Sequence, residues 1–385
     1  MPAAAVRPVR PRRRAPQAAA RRAAMVLKSS GRSTGSRASP PASAAPEASE
    51  GEADTPRPAA TESTADPTDA PGAVRIGISG WRYPPWRGTF YPDELPQRLE
   101  LAYASRALPS IELNGSFYSL QTPERYADWH DTTPEGFVFS VKAPRYITHV
   151  KRLKDIGDAL PNFFASGLFN LKGKLGPILW QFPPSMRFSA ELFEPFLAAL
   201  PHDTEAALAL ARKRDGRMKG RSRLAIDTVR PVRHAVEIRH TSFATPEFIA
   251  LLRRHNVALV VADTAGKWPL LEDLCADFVY LRLHGDVELY ASGYTDEALD
   301  AWAARIRAWS AGSQPADVRL ASPEPPPPAA ARPVYCYFDN DIKVRAPYDA
   351  AGLLRRLGLD SGLADDGRFA VDPAAPRSWP ARAPA

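Results

Sequence analysis

The sequence predicts an α/β fold, a (β/α)8 TIM-like barrel preceded by a disordered leader. Three observations carry this expectation. Eight short apolar runs alternate with stretches of helical periodicity along the 385 residues. Nearly every run ends in polar or charged residues, and parallel strands joined by right-handed crossovers gather such ends at one mouth. The chain is 44% hydrophobic, enough for a sizeable core. An open doubly wound sheet also alternates strands and helices, but eight repeats fit closure better.

Residues 1–72 come first. They are rich in Ala, Pro, Arg, Ser and acids without periodicity, and are expected to be disordered. Residues 1–46 hold ten Lys or Arg and no acid, and 47–70 hold seven acids and one Arg. The leader therefore accounts for +4 of the formal charge of +7, leaving +3 for the rest. The pI of about 9.4 is thus no sign that the folded body binds nucleic acid. The leader lacks the apolar segment of a secretory signal. It reads as a tail or an over-extended start with Met25 as an alternative beginning, while its Arg, Ala and Ser content also fits a transit peptide.

The strand candidates are residues 74–79, 110–114, 137–141, 177–180, 235–240, 258–262, 278–283 and 334–338. Helical spacing falls at 95–108, 123–130, 190–200, 246–255, 295–310 and 350–357. Pro123 suits a first turn, and Thr295 suits an N-cap ahead of early acids and late arginines. The barrel is expected over 73–360, with a C-terminal tail at 361–385. Two insertions interrupt it. Residues 204–233 carry seven Lys or Arg between Arg212 and Arg223 and read as a solvated loop or a phosphate- or RNA-contacting one; the absence of interleaved aromatics weakens the latter. Residues 311–333 contain a polyproline run that reads as a stiff linker.

The only cysteines are Cys275, in a helical stretch, and Cys336, in a strand. Two scattered cysteines predict a reduced compartment, the cytoplasm, rather than a disulfide framework. No apolar run is long enough for a membrane span.

The polar residues at the strand ends are the candidate site. Glu112 and Asn114 lie two apart and share a face, as do Glu237 and Arg239, and Arg282 and His284. As an enzyme acting on a small anion, the chain would grip phosphate or carboxylate with Lys142, Arg239 and Arg282. Glu112 or Glu237 would act as general base and His284 as proton shuttle. Asn114, Gln181, Asp339 and Asn340 would complete substrate binding. An alternative is a divalent-metal barrel with Glu112, Glu237, Asp263 and His284 around Mn, Mg or Zn, driving isomerisation or phosphoester hydrolysis. A third reading is a non-catalytic module, with Trp81, Tyr83, Trp86, Phe117 and Tyr118 lining a pocket, or the leader and basic insertion contacting nucleic acid. Imine chemistry at Lys142 is a further option. His149 would sit on a loop over the mouth, and Asp341 would hold a ligand or fix the turn. Lys172-Gly173-Lys174 lacks the rest of a phosphate loop, and Gly77–Gly80 lacks the dinucleotide fingerprint. Nothing in the sequence specifies an oligomeric state.

An ordered series of motifs adds a resemblance. Gly77-Ile78-Ser79-Gly80-Trp81 and Trp86-Arg87-Gly88-Thr89-Phe90-Tyr91-Pro92 open it. Glu112-Leu113-Asn114-Gly115-Ser116-Phe117-Tyr118, Phe139-Ser140-Val141-Lys142-Ala143 and Gln181-Phe182-Pro183-Pro184 follow. Glu237-Ile238-Arg239-His240, Arg282-Leu283-His284-Gly285 and Tyr337-Phe338-Asp339-Asn340-Asp341 close it. Over roughly residues 74–350 the chain resembles the YecE-like family, a domain family of unknown function. The resemblance implies a barrel and specifies no reaction. The chain departs from the family pattern in its two longer insertions, and in Tyr348-Asp349-Ala350 where an Asn-Ala pair is usual.

Overall fold

A computed structural model describes residues 72–384. The expected disordered leader, up to residue 71, lies outside them. Eight strands form a closed barrel in sequence order, every neighbouring pair parallel. Along the chain run β1 (Val74–Ser79), α1 (Glu100–Ala107), β2 (Ser110–Leu113), α2 (Gly115–Tyr118), α3 (Pro123–Thr132) and β3 (Val138–Lys142). Then come α4 (Ala159–Ala165), β4 (Leu175–Gln181), α5 (Ala190–Ala198), α6 (Thr204–Ala211), β5 (His234–Glu237) and α7 (Pro246–Arg254). The last elements are β6 (Ala258–Asp263), β7 (Val279–Leu283), α8 (Asp296–Ser310), β8 (Val334–Phe338) and α9 (Ala346–Arg356).

Local chemistry sets the helix starts. Thr122, Thr245 and Thr295 each accept a hydrogen bond from the backbone N–H three residues on, at the heads of α3, α7 and α8. Pro123 and Pro246 occupy the first helical position, where no amide donor is needed. The basic insertion is not all loop: Asp203 caps Ala206 and starts α6 over its first eight residues. No helix joins β6 to β7, and Cys275 lies in an irregular buried segment of that link rather than in a helix. The proline-rich segment is tied down, because buried Glu272 and Asp273 accept backbone N–H bonds from Arg319, Ala321 and Ser322. No helix among the described residues is long and apolar enough to cross a membrane.

Strand alternation splits the core in two. Val74, Ile76 and Ile78 of β1 face the helices within the larger apolar cluster. Val138, Leu179, Ala235, Val260, Tyr280 and Tyr337 fill the inside of the barrel. The inner layer is polar at mid-height, where Ser110 Oγ lies 2.8 Å from the Tyr337 hydroxyl and Ser140 Oγ 2.6 Å from that of Tyr280. Gly77 is required at the β1–β2 contact, because a Cβ there would stand 1.8 Å from the Ser110 carbonyl oxygen. Residues 361–384 close the opposite end: Trp379 is buried, its amide bonds Glu135, and Arg75 donates to the Pro380 carbonyl.

Candidate active site at the barrel mouth

One tier above the tyrosines the interior carries an ion cluster built around Arg282. Its Nε and Nη2 grip both oxygens of Glu112 at 3.0 and 2.9 Å. Nη1 donates to Glu237 at 2.8 Å, and Nη2 also reaches Asp339 at 2.8 Å and Ser79 at 3.2 Å. Arg282, Glu112 and Glu237 are fully buried. Glu112 further accepts from Ser79 and Tyr280, both at 2.8 Å. Burial by itself would raise the Glu237 carboxyl, but Arg239 and Arg282 overrule it and hold it well below its usual range. The same opposition, with Arg282 as the main cation and the His284 ring beside it, keeps Asp339 ionised. Burial works against the Arg282 charge too, and Glu112 and Asp339 more than restore it.

His284 is also fully buried. Arginine can only donate, so the 3.3 Å contact from Arg282 Nη1 makes His284 Nε2 an acceptor and leaves the ring proton on Nδ1. That nitrogen lies 3.1 Å from Asp339 Oδ2, poorly aligned for a full hydrogen bond. Burial first, and Arg282 second, push its pKa below the ordinary histidine value, so the ring is neutral at neutral pH.

Above this tier a cavity of about 1120 Å³ opens. Its floor comes from residues at or just past the strand ends: Asn114, Lys142, Gln181, Arg239, Asp339 and Asp341. Exposed Arg82, Arg98 and Arg125 line an outer arm toward α1 and α3. Gln181 donates to both oxygens of Glu237 at 3.0 and 2.9 Å. Arg239 Nε donates to Glu237 at 2.7 Å, and its guanidinium lies 3.8 Å from the centre of the Trp268 ring. Its terminal nitrogens bond no described residue, and the side chain lines the cavity. Asn114 donates to Ser79, while its buried Oδ1 has no partner among the described residues. A π-helical turn over Tyr146–Val150 sets His149 edge-on against Phe117, 5.1 Å between centres. Burial, then Arg239, lower the His149 pKa to about 4.

A family model described as "Protein of unknown function DUF72" matches residues 75–372. The chain belongs to the DUF72 family. Among solved structures it is similar to a DUF72 family protein of Thermotoga maritima, with TM-score 0.53 and 24% identity over 74% of this chain and 99% of that one. A DUF72 family protein of Enterococcus faecalis gives TM-score 0.51 and 16% identity over 74% and 96% of the two chains. At these identities the likeness concerns the fold. The UPF0759 protein YunF of Bacillus subtilis is 31% identical over 116 residues, 29% of this chain and 40% of YunF's own length.

In this DUF72 barrel the residues expected to act divide by depth and by strand parity. Glu112, Glu237, Arg282 and His284 point inward but lie below the cavity, not in its wall. The oxygens of Glu112 and Glu237 are occupied by donors and the Arg282 donors by acceptors, so the first two are placed as scaffold rather than as free bases, and Arg282 is not open to an anion. Asp263 and Asn340 fall one residue off the inward parity of their strands. Asp263 accepts from the Tyr294 hydroxyl, and Asn340 donates to Ser292 and Asp349 behind β8. Asp349, the departure from the family pattern, also accepts the Tyr294 N–H. The four expected metal ligands therefore do not converge, and the Arg282 guanidinium bridges Glu112 and Glu237. Among the described residues no cluster of three or more His, Cys, Asp or Glu gathers as a metal site.

Lys142 and Asp341, both in the wall, have proton affinities shifted toward neutrality. Burial, with Arg282 as the next cause, lowers Lys142 from 10.5 to about 8. Burial, with Asp339 next, raises Asp341 to about 6. Asp341 is inward by the same count that makes Asp339 inward, two residues on, and that spacing is the signal in the sequence that points to it.

Proposed function

We propose that this protein is an enzyme acting on a small anionic substrate, phosphorylated or carboxylated, bound in the cavity at the barrel mouth. The observation that carries the reading is Arg239. Its Nε is fixed by Glu237 and its plane by Trp268, which leaves the two terminal nitrogens without a partner among the described residues, on a side chain that lines the cavity. A guanidinium held this way is set to grip phosphate or carboxylate in two-point fashion. Lys142 adds positive field in the same wall, and Asn114 lines the cavity beside it. The exposed arginines of the outer arm favour a substrate with charge at more than one point.

The test is thermal shift and calorimetry with inorganic phosphate, pyrophosphate and citrate, on the wild type and Arg239→Ala. A charge-assisted hydrogen bond contributes about 1.5–3 kcal/mol, so the variant is expected to bind about 10- to 100-fold more weakly. Binding should weaken with salt. No stabilisation by any of these anions, or equal affinity in the variant, overturns the reading.

A further inference from the structure

Lys142 is a buried basic side chain of the mouth whose charge has no contact partner among the described residues. It is 8% exposed, and the Phe117 ring, 4.7 Å from Nζ to its centre, is what lies against it. The contrast within the molecule is Lys174, which donates to the His130 and Thr133 carbonyls and to the Thr133 hydroxyl. A lysine that only attracts anions works in water. One kept dry against an aromatic ring, beside a second cation, is held toward the neutral amine, which is the nucleophilic form. Four charges from other strands act on it: Arg282 pushes the proton off, while Glu112, Asp339 and Glu237 pull it back. Burial and Arg282 prevail, so about a tenth of the amine is neutral at pH 7. In the same wall stands Asp341, a half-buried carboxyl with no ion pair to a described residue, able to carry a proton at neutral pH.

We propose that Lys142 Nζ forms an imine with the substrate, which is therefore an aldehyde or ketone bearing an anionic group, with Asp341 as the proton donor for loss of water. The proposal rests on the anion reading above, in which Arg239 holds the charged group. The nitrogen lone pair forms the C–N bond to the carbonyl carbon. The π electrons move to oxygen, which takes up a proton, and nitrogen releases one, giving a carbinolamine. The C–O bond then breaks with a proton from the Asp341 carboxyl, water leaves, and the nitrogen lone pair forms C=N. In sum one amine, one carbonyl and one proton give a protonated imine and one water, with nothing oxidised or reduced. Such an imine is an electron sink for breaking a bond at the neighbouring carbon.

The test is reductive trapping with cyanoborohydride on the full chain, using glyoxylate, pyruvate and dihydroxyacetone phosphate, read by intact mass and peptide mapping. The expected result is one adduct per chain on Lys142, formed faster than on exposed lysines such as Lys154 and Lys219, and faster as pH rises through about 8. Lys142→Met should abolish that adduct, and Asp341→Asn should slow it by about 100-fold or more without moving it. Adducts spread evenly over surface lysines, or total adduct and its rate unchanged in Lys142→Met, overturn the proposal. Phosphate binding measured on the same preparations separates the two readings. Phosphate bound through Arg239 with no adduct at Lys142 overturns the imine alone; neither binding nor adduct overturns both.

Discussion

Removing the Lys142 amine should make this protein more stable. Lys142→Met keeps a chain of similar length in the same dry site and removes a charge that no described residue pairs. The folded protein holds the Lys142 proton less tightly than the unfolded chain does, so protonation opposes folding. That penalty is complete below the folded value of about 8 and fades as pH rises toward 10.5. At about 1.4 kcal/mol for each factor of ten in proton affinity, the fall from 10.5 to about 8 amounts to about 3 kcal/mol. Urea unfolding followed by tryptophan fluorescence at about pH 7 should show the methionine variant more stable by up to about 3 kcal/mol, and at about pH 10 by less than about 1 kcal/mol. A variant less stable than the wild type at pH 7, or a gain equal at both pH values, would refute the reasoning. A gain would mean that the wild type carries a standing cost at this position, as reactive groups commonly do.

Arg282→Gln leaves Glu112, Glu237 and Asp339 buried around an uncharged amide, and should cost at least about 3–5 kcal/mol; an unchanged melting temperature would contradict the clustered geometry. Gly77→Ala forces a methyl against the Ser110 carbonyl and should cost about 3 kcal/mol or more, read by the same unfolding curves. Nitrogen NMR of the histidines should find the His284 midpoint below the ordinary histidine value, because burial and Arg282 lower it; protonating it opposes folding, so a midpoint at or above the ordinary histidine value would contradict the structure. Both cysteines should ignore Ellman's reagent until the chain unfolds, since burial pushes the Cys275 thiol up to about 12 and raises that of Cys336 as well.

The barrel was legible because each strand is short, apolar and followed by polar residues, and those signals survive one sequence at a time. Residues 74–79 and 334–338 match β1 and β8, while the fifth run, read to His240, ends as β5 at Glu237 because His240 turns back to cap the Ser242 amide. The helix over Thr204–Ala211 was hidden by the basic run that follows it, although Asp203 ahead of an Ala- and Leu-rich stretch is a start signal. Parity within a strand can be counted from the sequence, and it places Asp263 and Asn340 outside the cavity and Asp341 within it. Depth cannot be counted in that way. Whether an inward residue ends in the ion cluster, like Glu112, or in the wall, like Lys142, depends on the stagger between neighbouring strands, which is a property of the closed barrel.

The C-terminal segment has a consequence for the order in which this molecule can form. The Trp379 indole N–H bonds the Ser105 carbonyl, 274 residues earlier, and Arg75 reaches Pro380, 305 residues later. β1 likewise waits for β8, since Val74 pairs with Val334. A chain emerging from the ribosome can assemble the early β/α units, but its first strand keeps an open edge until residue 338 arrives, and its base stays open until residue 380 does. Through most of synthesis the nascent chain carries the hazard of an unpaired strand, whereas a truncation near residue 370 would keep the strands paired and leave the base of the barrel without Trp379 and the Arg75 contact.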